Sequence, residues 1–242
     1  MPEITEGALL GGKIRYRQFA SGHRSGFEPV LLAAGVAARP GDRVLEAGCG
    51  AGAALLCLGH RIPKLSGVGL EIVPELAALA NENFKLNALI GISSLCRDVE
   101  KPGLGDVFDH IMANPPWHDA NSSQSPDPLR ALAHHAGAPL LGKWVTSLTN
   151  VLKPRGSLTL VLPAAALSET AGYLARGGYG SLTLFPLWPR VDRPAKLIIV
   201  SAWLGGRKPD RLLPGLVLHD DAGITPAAQK ILRDGGGIDL GG

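Results

Sequence analysis

The sequence predicts an α/β fold: a seven-stranded, mostly parallel sheet with helices on both faces. Three observations predict it. Short apolar runs alternate with helix-forming segments along most of the 242 residues, the pattern of a parallel sheet covered on both sides. Hydrophobic residues make up 45% of the chain, enough for a sizeable core, and 32 Gly with 19 Pro supply many tight turns. The two most unusual loops follow the first and fourth strands, where such sheets bind ligands.

The elements run in order after a polar, Gly-rich opening. Residues 43–48 form an apolar strand ending in glycines, and 53–60 a helix. Residues 67–71 form the second strand. The helix 74–87 starts on Pro74, where a missing N–H costs little. Residues 92–97 and 107–113 are the third and fourth strands. Residues 129–152 contain a long helix with a break near 137–139. Residues 156–162 are the fifth strand, 164–176 a helix, and 180–185 and 195–203 the last two strands. The stretch 118–128 is polar and proline-containing, a loop and candidate lid. The Gly-rich tail 233–242 reads as frayed. The whole, 1–242, is expected to be one Rossmann-like domain, with 1–42 as an extension capping substrate and cofactor.

The formal net charge of +3 is compatible with a polyanionic partner without demanding one. The three cysteines, Cys49, Cys57 and Cys96, lack metal-ligand spacing, and their odd number argues against a disulfide framework. Reduced thiols, an N-terminus without signal-peptide layout and no apolar run of membrane-spanning length point to a cytoplasmic protein that uses neither metal nor membrane.

Glu46-Ala47-Gly48-Cys49-Gly50-Ala51-Gly52 lies between a strand and a helix. Its glycines let the backbone turn sharply and approach a ligand. Glu71, about twenty residues on, suits two ribose hydroxyls. Gly48, Gly50 and Ala53 also fit a dinucleotide pattern. Two acids favour S-adenosylmethionine over NAD: Glu46 can face a cationic methionine end, where a pyrophosphate would be repelled, and Asp98 can accept an adenine amino group.

Asn114-Pro115-Pro116-Trp117 follows the fourth strand. Two prolines lock φ and donate no N–H, and each restricts the residue before it. The Asn114 amide and the nearby carbonyls are thereby held rigid beside an indole, an array suited to a planar group carrying an exocyclic NH₂.

With both loops in view, the chain resembles the class I S-adenosylmethionine-dependent N-methyltransferases, and nearly throughout it resembles the bacterial tRNA(Val) adenosine N6-methyltransferases. The matching segments are 22–34, 113–117, 152–156, 186–189 and 216–219 with Ile224-Thr225. Trp117 stands where many relatives have Tyr, and Pro29 where they have an acid. The resemblance implies N6-methylation of the adenosine next to the anticodon. Asn114, Pro115, Pro116 and Trp117 would be catalytic, the Asn114 oxygen and Pro115 carbonyl accepting both N6 hydrogens while Trp117 stacks on the base. Glu46, Gly48, Cys49, Gly50, Gly52, Glu71, Ile72, Asp98, Val99 and Asn114 would bind the cofactor. Lys13, Arg15, Arg17, Arg24, Arg190, Arg193 and Lys196 would hold tRNA phosphates, with Arg207, Lys208 and Arg211 as a third basic group on the same track. The related alternatives methylate guanine N2 of rRNA or a protein glutamine amide. A monomer or weak homodimer is expected.

Overall fold

The computed structural model, which describes residues 3–21, 26–105, 107–116 and 138–241, starts with an antiparallel hairpin where the sequence suggested only a polar opening. Its strands are β1 (Ile4–Leu9) and β2 (Ile14–Phe19). The helix α1 (Glu28–Gly35) follows. It shows no amphipathic period because every residue from Val30 to Gly35 is buried. The Arg61 guanidinium donates to the Ala33 and Val36 carbonyls at 2.8 and 2.7 Å, satisfying the end of that helix.

The alternating region then runs β3 (Arg43–Ala47), α2 (Ala53–Arg61), β4 (Ser66–Glu71), α3 (Pro74–Leu86), β5 (Ile92–Cys96) and β6 (Phe108–Ala113). After it come α4 (Ala138–Thr149), β7 (Leu152–Pro163), α5 (Leu167–Arg176), β8 (Tyr179–Trp188) and β9 (Leu197–Leu204). Short strands β10 (Arg211–Leu212), β11 (Leu216–Val217), β12 (His219–Asp220) and β13 (Gly223–Ile224) lead into α6 (Pro226–Leu232).

The main sheet has the order β10-β8-β9-β7-β6-β3-β4-β5, with β11 also on β8. β3 to β7 are parallel, and β9 is antiparallel to both its neighbours. Successive strand residues serve opposite cores: Val44 and Met112 pack with α1, α2 and α3, whereas Leu45 and Ile111 pack with α4 and α5. Central strands such as β3 and β6 are buried on both faces nearly throughout, whereas β5 at the sheet edge alternates between buried and exposed residues. Among the described residues no helix is long and apolar enough to cross a membrane.

The hairpin docks through two asparagines four residues apart, Asn83 in the last turn of α3 and Asn87 capping its end. The Asn87 side chain accepts from Arg15 N–H at 3.0 Å and donates to Arg15 C=O at 2.8 Å. Asn83 repeats the pair at Arg17, at 2.9 and 2.8 Å, and also donates to Ala51 C=O at 2.9 Å. The match is geometric: two strand residues and four helix residues both advance about 6–7 Å.

Three expectations change. The strand expected at 156–162 begins at Leu152, because Leu152 pairs with Phe108 and the register shifts before His110; the Pro154-Arg155-Gly156 turn signal marks that irregularity. The eighth strand runs on through Pro186 to Trp188. The tail is not frayed: Ile238 N–H donates to Ala34 C=O, Leu240 is buried, and Arg211 donates to the Leu240 and Gly241 carbonyls. The expected helix before residue 138 and the candidate lid lie outside the described residues.

Candidate active site

Register brings the two unusual loops side by side. Ala47, the last residue of β3, pairs with Leu70 of β4 on one side and Ala113 of β6 on the other. The residues that follow, Gly48, Glu71 and Asn114, therefore leave the carboxyl edge on three adjacent strands. Glu71 in turn pairs with Cys96, and Arg97 N–H donates to Glu71 C=O at 2.8 Å, so Asp98 extends the same edge.

The glycine loop turns back at once, with Gly48 and Cys49 N–H both donating to Leu70 C=O at 2.9 and 3.0 Å. Gly48, Gly50 and Gly52 all have positive φ. A Cβ on Gly48 would stand 2.9 Å from Trp144, and one on Gly52 2.7 Å from Phe84. A Cβ on Gly50 would meet nothing within 4 Å, so that backbone faces open space.

Glu71 is only 7% exposed. Its carboxylate accepts from Gly50 N–H and Val73 N–H, both at 2.9 Å, and so ties the loop to the end of β4. Each oxygen retains acceptor capacity for a further donor. Next to it Ile72 is 59% exposed, an apolar side chain left in water at the edge of the site. Asp98 is half-buried and accepts from Glu100 N–H at 2.9 Å, while Val99 is buried, its carbonyl accepting from the Ser147 hydroxyl at 2.8 Å.

Glu46 is 5% exposed and accepts from Leu55 N–H at 3.1 Å. Burial pushes its carboxyl up to about 8; the Leu55 N–H opposes the rise and the Glu71 charge adds to it. A carboxyl so raised favours its protonated form, and a cation arriving beside it would favour ionisation. Burial also pushes the Cys49 thiol well above its ordinary range, and it shares a 3.3 Å hydrogen bond with the Ser94 hydroxyl, so it stays protonated and is no nucleophile.

Asn114 and Pro116 are half-buried and Pro115 is buried at the end of β6. Trp117 and Arg24 lie outside the described residues. The remaining cations fall into separate groups. Arg190, Arg193 and Lys196 lie on the loop joining the ends of β8 and β9, at the same sheet edge as Asn114. Arg190 pairs with Asp221 at 3.2 Å. Arg15 and Arg17 sit on the hairpin and share Glu6 at 2.7 and 3.0 Å, their two guanidiniums holding that carboxyl below its ordinary range. Lys13 donates to Asp234 C=O at 3.0 Å. The third group does not join the others: Arg207 and Lys208 follow β9 at the opposite, amino edge, and Arg211 is used on the tail. β9 runs antiparallel, so its end lies at the far side of the sheet.

The sequence did not reveal Asn83, whose bonds reach both the hairpin and the glycine loop; the only signal was an i, i+4 asparagine pair on a helix. Nor did it reveal that segments 186–189 and 216–219 form one surface. Leu216 and Val217 pair with Leu187 and Trp188, and His219 N–H donates to Pro189 C=O at 3.2 Å.

The family model of the methyltransferase small domain matches residues 28–171. A tRNA1(Val) (adenine(37)-N6)-methyltransferase of Bacteroides thetaiotaomicron is 30% identical over 156 residues, 62% of this chain and 65% of that protein. The enzyme of the same description from Porphyromonas gingivalis is 30% identical over 162 residues, 63% of each chain. The chain thus spans somewhat under two thirds of the length of these relatives. Among solved structures, a predicted O-methyltransferase from Agrobacterium tumefaciens matches with a TM-score of 0.72 at 22% identity, covering 87% of this chain and 98% of that one. A SAM-dependent O-methyltransferase from Thermotoga maritima matches with a TM-score of 0.52 at 20% identity, covering 75% and 64%. At these identities the likeness is one of fold.

Proposed function

Since the chain belongs to the methyltransferase small domain family, its match covering more than half of the residues, we propose that it is an S-adenosylmethionine-dependent N-methyltransferase acting on N6 of an adenosine in tRNA, the anticodon-loop adenosine of tRNA(Val). The observation that carries this reading is the register: Gly48, Glu71 and Asn114 follow paired residues on adjacent strands, about 4.8 Å apart, so a donor held over the glycine loop would neighbour the array for the accepting amine.

The residues present fit the cofactor. Gly50 opens to space, Glu71 would offer acceptors to a diol, exposed Ile72 would offer a flat ring an apolar face, and Asp98 with Val99 would take its amino edge. Glu46 supplies a carboxyl that ionises against a cation. When bound, S-adenosylmethionine supplies an electrophilic methyl group on a sulfonium. The protein's part is then to present the amine. The Asn114 side-chain oxygen and the Pro115 carbonyl accept the two N6 hydrogens, drawing the lone pair out of conjugation and matching the charge that develops as the new bond forms. Rigid prolines hold these acceptors in place. Trp117 is assigned the stacking face. The hairpin and α1 are assigned to the capping extension within 1–42, and Asn83 joins that extension to the glycine loop.

The relatives described as tRNA1(Val) (adenine(37)-N6)-methyltransferases support the finer substrate, and tRNA implies work in the cytoplasm. The test is incubation with labelled S-adenosylmethionine and separate tRNA, rRNA and protein pools. Label recovered as N6-methyladenosine in tRNA is expected. Label only as N2-methylguanine in rRNA, or on a protein glutamine, overturns the substrate assignment, and no transfer to any pool overturns the enzyme reading.

A further inference from the structure

The loops assigned to the cofactor stand on β3, β4 and β5, and Asn114 follows β6. A polymer presenting a base to Asn114 has the other half of the carboxyl edge to lie on, above β7, β9 and β8. Three segments far apart in the chain meet on that half: Phe27 before α1, the loop 189–196, and the β12–β13 hairpin. The hairpin is fixed to the loop by His219 N–H on Pro189 C=O at 3.2 Å and by the Arg190 guanidinium on Asp220 C=O at 3.0 Å. The Phe27 and His219 rings lie 6.5 Å apart, tilted by 41°, within the range of an aromatic pair. Phe27 is nevertheless 43% exposed and belongs to neither hydrophobic core. Arg193 and Lys196, both exposed, follow on the adjoining loop. An exposed ring backed by a half-buried one, with cations on the adjoining loop, is the chemistry that holds single-stranded nucleic acid.

We propose that Phe27 and His219 form a second stacking shelf, on which a nucleotide flanking the methylated one rests while Arg193 and Lys196 hold its phosphates. This rests on the RNA reading above and extends it: the target base is gripped at Asn114, and the strand beside it is gripped by rings outside the cofactor half of the site. Unstacking a loop nucleotide onto protein rings also favours the splayed conformation that exposes the target.

The test is binding of a fluorescently labelled single-stranded RNA oligonucleotide by the full chain, read by anisotropy. Phe27→Ala and His219→Ala are each expected to weaken binding about 5-fold or more, the scale of losing one base stack, with Phe27→Trp restoring it. In turnover, KM for RNA should rise more than kcat falls. A Phe27→Ala protein with a wild-type melting curve and wild-type affinity overturns the shelf. Should that variant fail to fold, His219→Ala decides by the same measurement. RNA methylation by the wild-type chain keeps the proposed function standing in either case. Label found only in protein removes the RNA reading and the shelf together.

Discussion

At the scale of single residues, Asn114 and Glu46 are separable. Asn114→Ala removes one acceptor for the amine and nothing from the glycine loop. Turnover should fall about 10²–10³-fold, as when one oxyanion-hole donor is lost, while calorimetric titration with S-adenosylhomocysteine shows little change. Wild-type turnover in that variant would sink the mechanism. Glu46 has a raised pKa in the folded chain, about 8 against an ordinary 4.5. Its protonated form therefore adds stability that is full below about 4.5 and is lost as pH rises through about 8. A cation bound beside it favours the ionised form, so its contribution to S-adenosylmethionine affinity should grow over the same rise. Glu46→Gln cannot ionise. It should melt higher than wild type at pH 9 but not at pH 5, and its deficit in cofactor affinity should widen from pH 6 to 9. A deficit independent of pH would exclude ionisation as the cause.

At the scale of elements, the Asn83 clamp and the His110 contact each join parts that local sequence leaves unrelated. Asn83→Ala strands Arg17 N–H and C=O and Ala51 C=O. Leaving buried polar groups unpaired costs about 1–3 kcal/mol, so the urea midpoint should drop, and hydrogen exchange at the Arg17 amide should accelerate while β3 amides hold. Unchanged exchange there would mean the hairpin is held by other contacts. His110 on β6 bonds Ser157 on β7 at 2.8 Å and Asp42 before β3 at 3.2 Å, with Trp203 edge-on at 6.1 Å. The three side chains have the order of an acyl-transfer triad, but Ser157 is wholly buried at the amino edge and no substrate reaches it. Burial pulls the His110 imidazole below its ordinary 6.5, Asp42 and Asp109 opposing and Arg39 assisting. The neutral ring thus stabilises the fold above about 6.5, and that stability is lost as pH falls through the lower folded value. The wild-type melting temperature should decline on acidification below pH 6, and His110→Gln should lessen that decline. An equal decline in the variant would assign it to other groups.

At the scale of the whole molecule, the cations divide by edge. Arg193 and Lys196 share the carboxyl edge with Asn114, whereas Arg207 and Lys208 stand at the amino edge. RNA affinity should fall with salt. Arg193→Ala with Lys196→Ala should flatten the log–log slope by about 1.4, about 0.7 for each single-strand phosphate contact. Arg207→Ala with Lys208→Ala should leave it unchanged, and the reverse pattern would place the RNA on the other edge. Much of this was legible in the chain. The runs that became β3 to β6 and the helices between them are local: each carries its own apolar residues in a short stretch closed by Gly, Pro or polar residues. The two loops declared their chemistry through backbone constraint, by glycines and consecutive prolines. The hairpin, α1 and the ordered tail were not legible. α1 is buried on all sides and loses the period that marks a helix, and the hairpin and tail are held by partners 66 to 204 residues away, Asn83 on Arg17 and Ala34 on Ile238. The sequence alone determined which residues could carry the chemistry, because side-chain type and backbone freedom belong to the residue. Only the tertiary structure decided which of them meet, because neighbouring across the sheet is a matter of register: one pairing, Ala47 with Leu70 and Ala113, sets the glycine loop beside the amine array, and one antiparallel strand sends a third of the basic groups to the far edge.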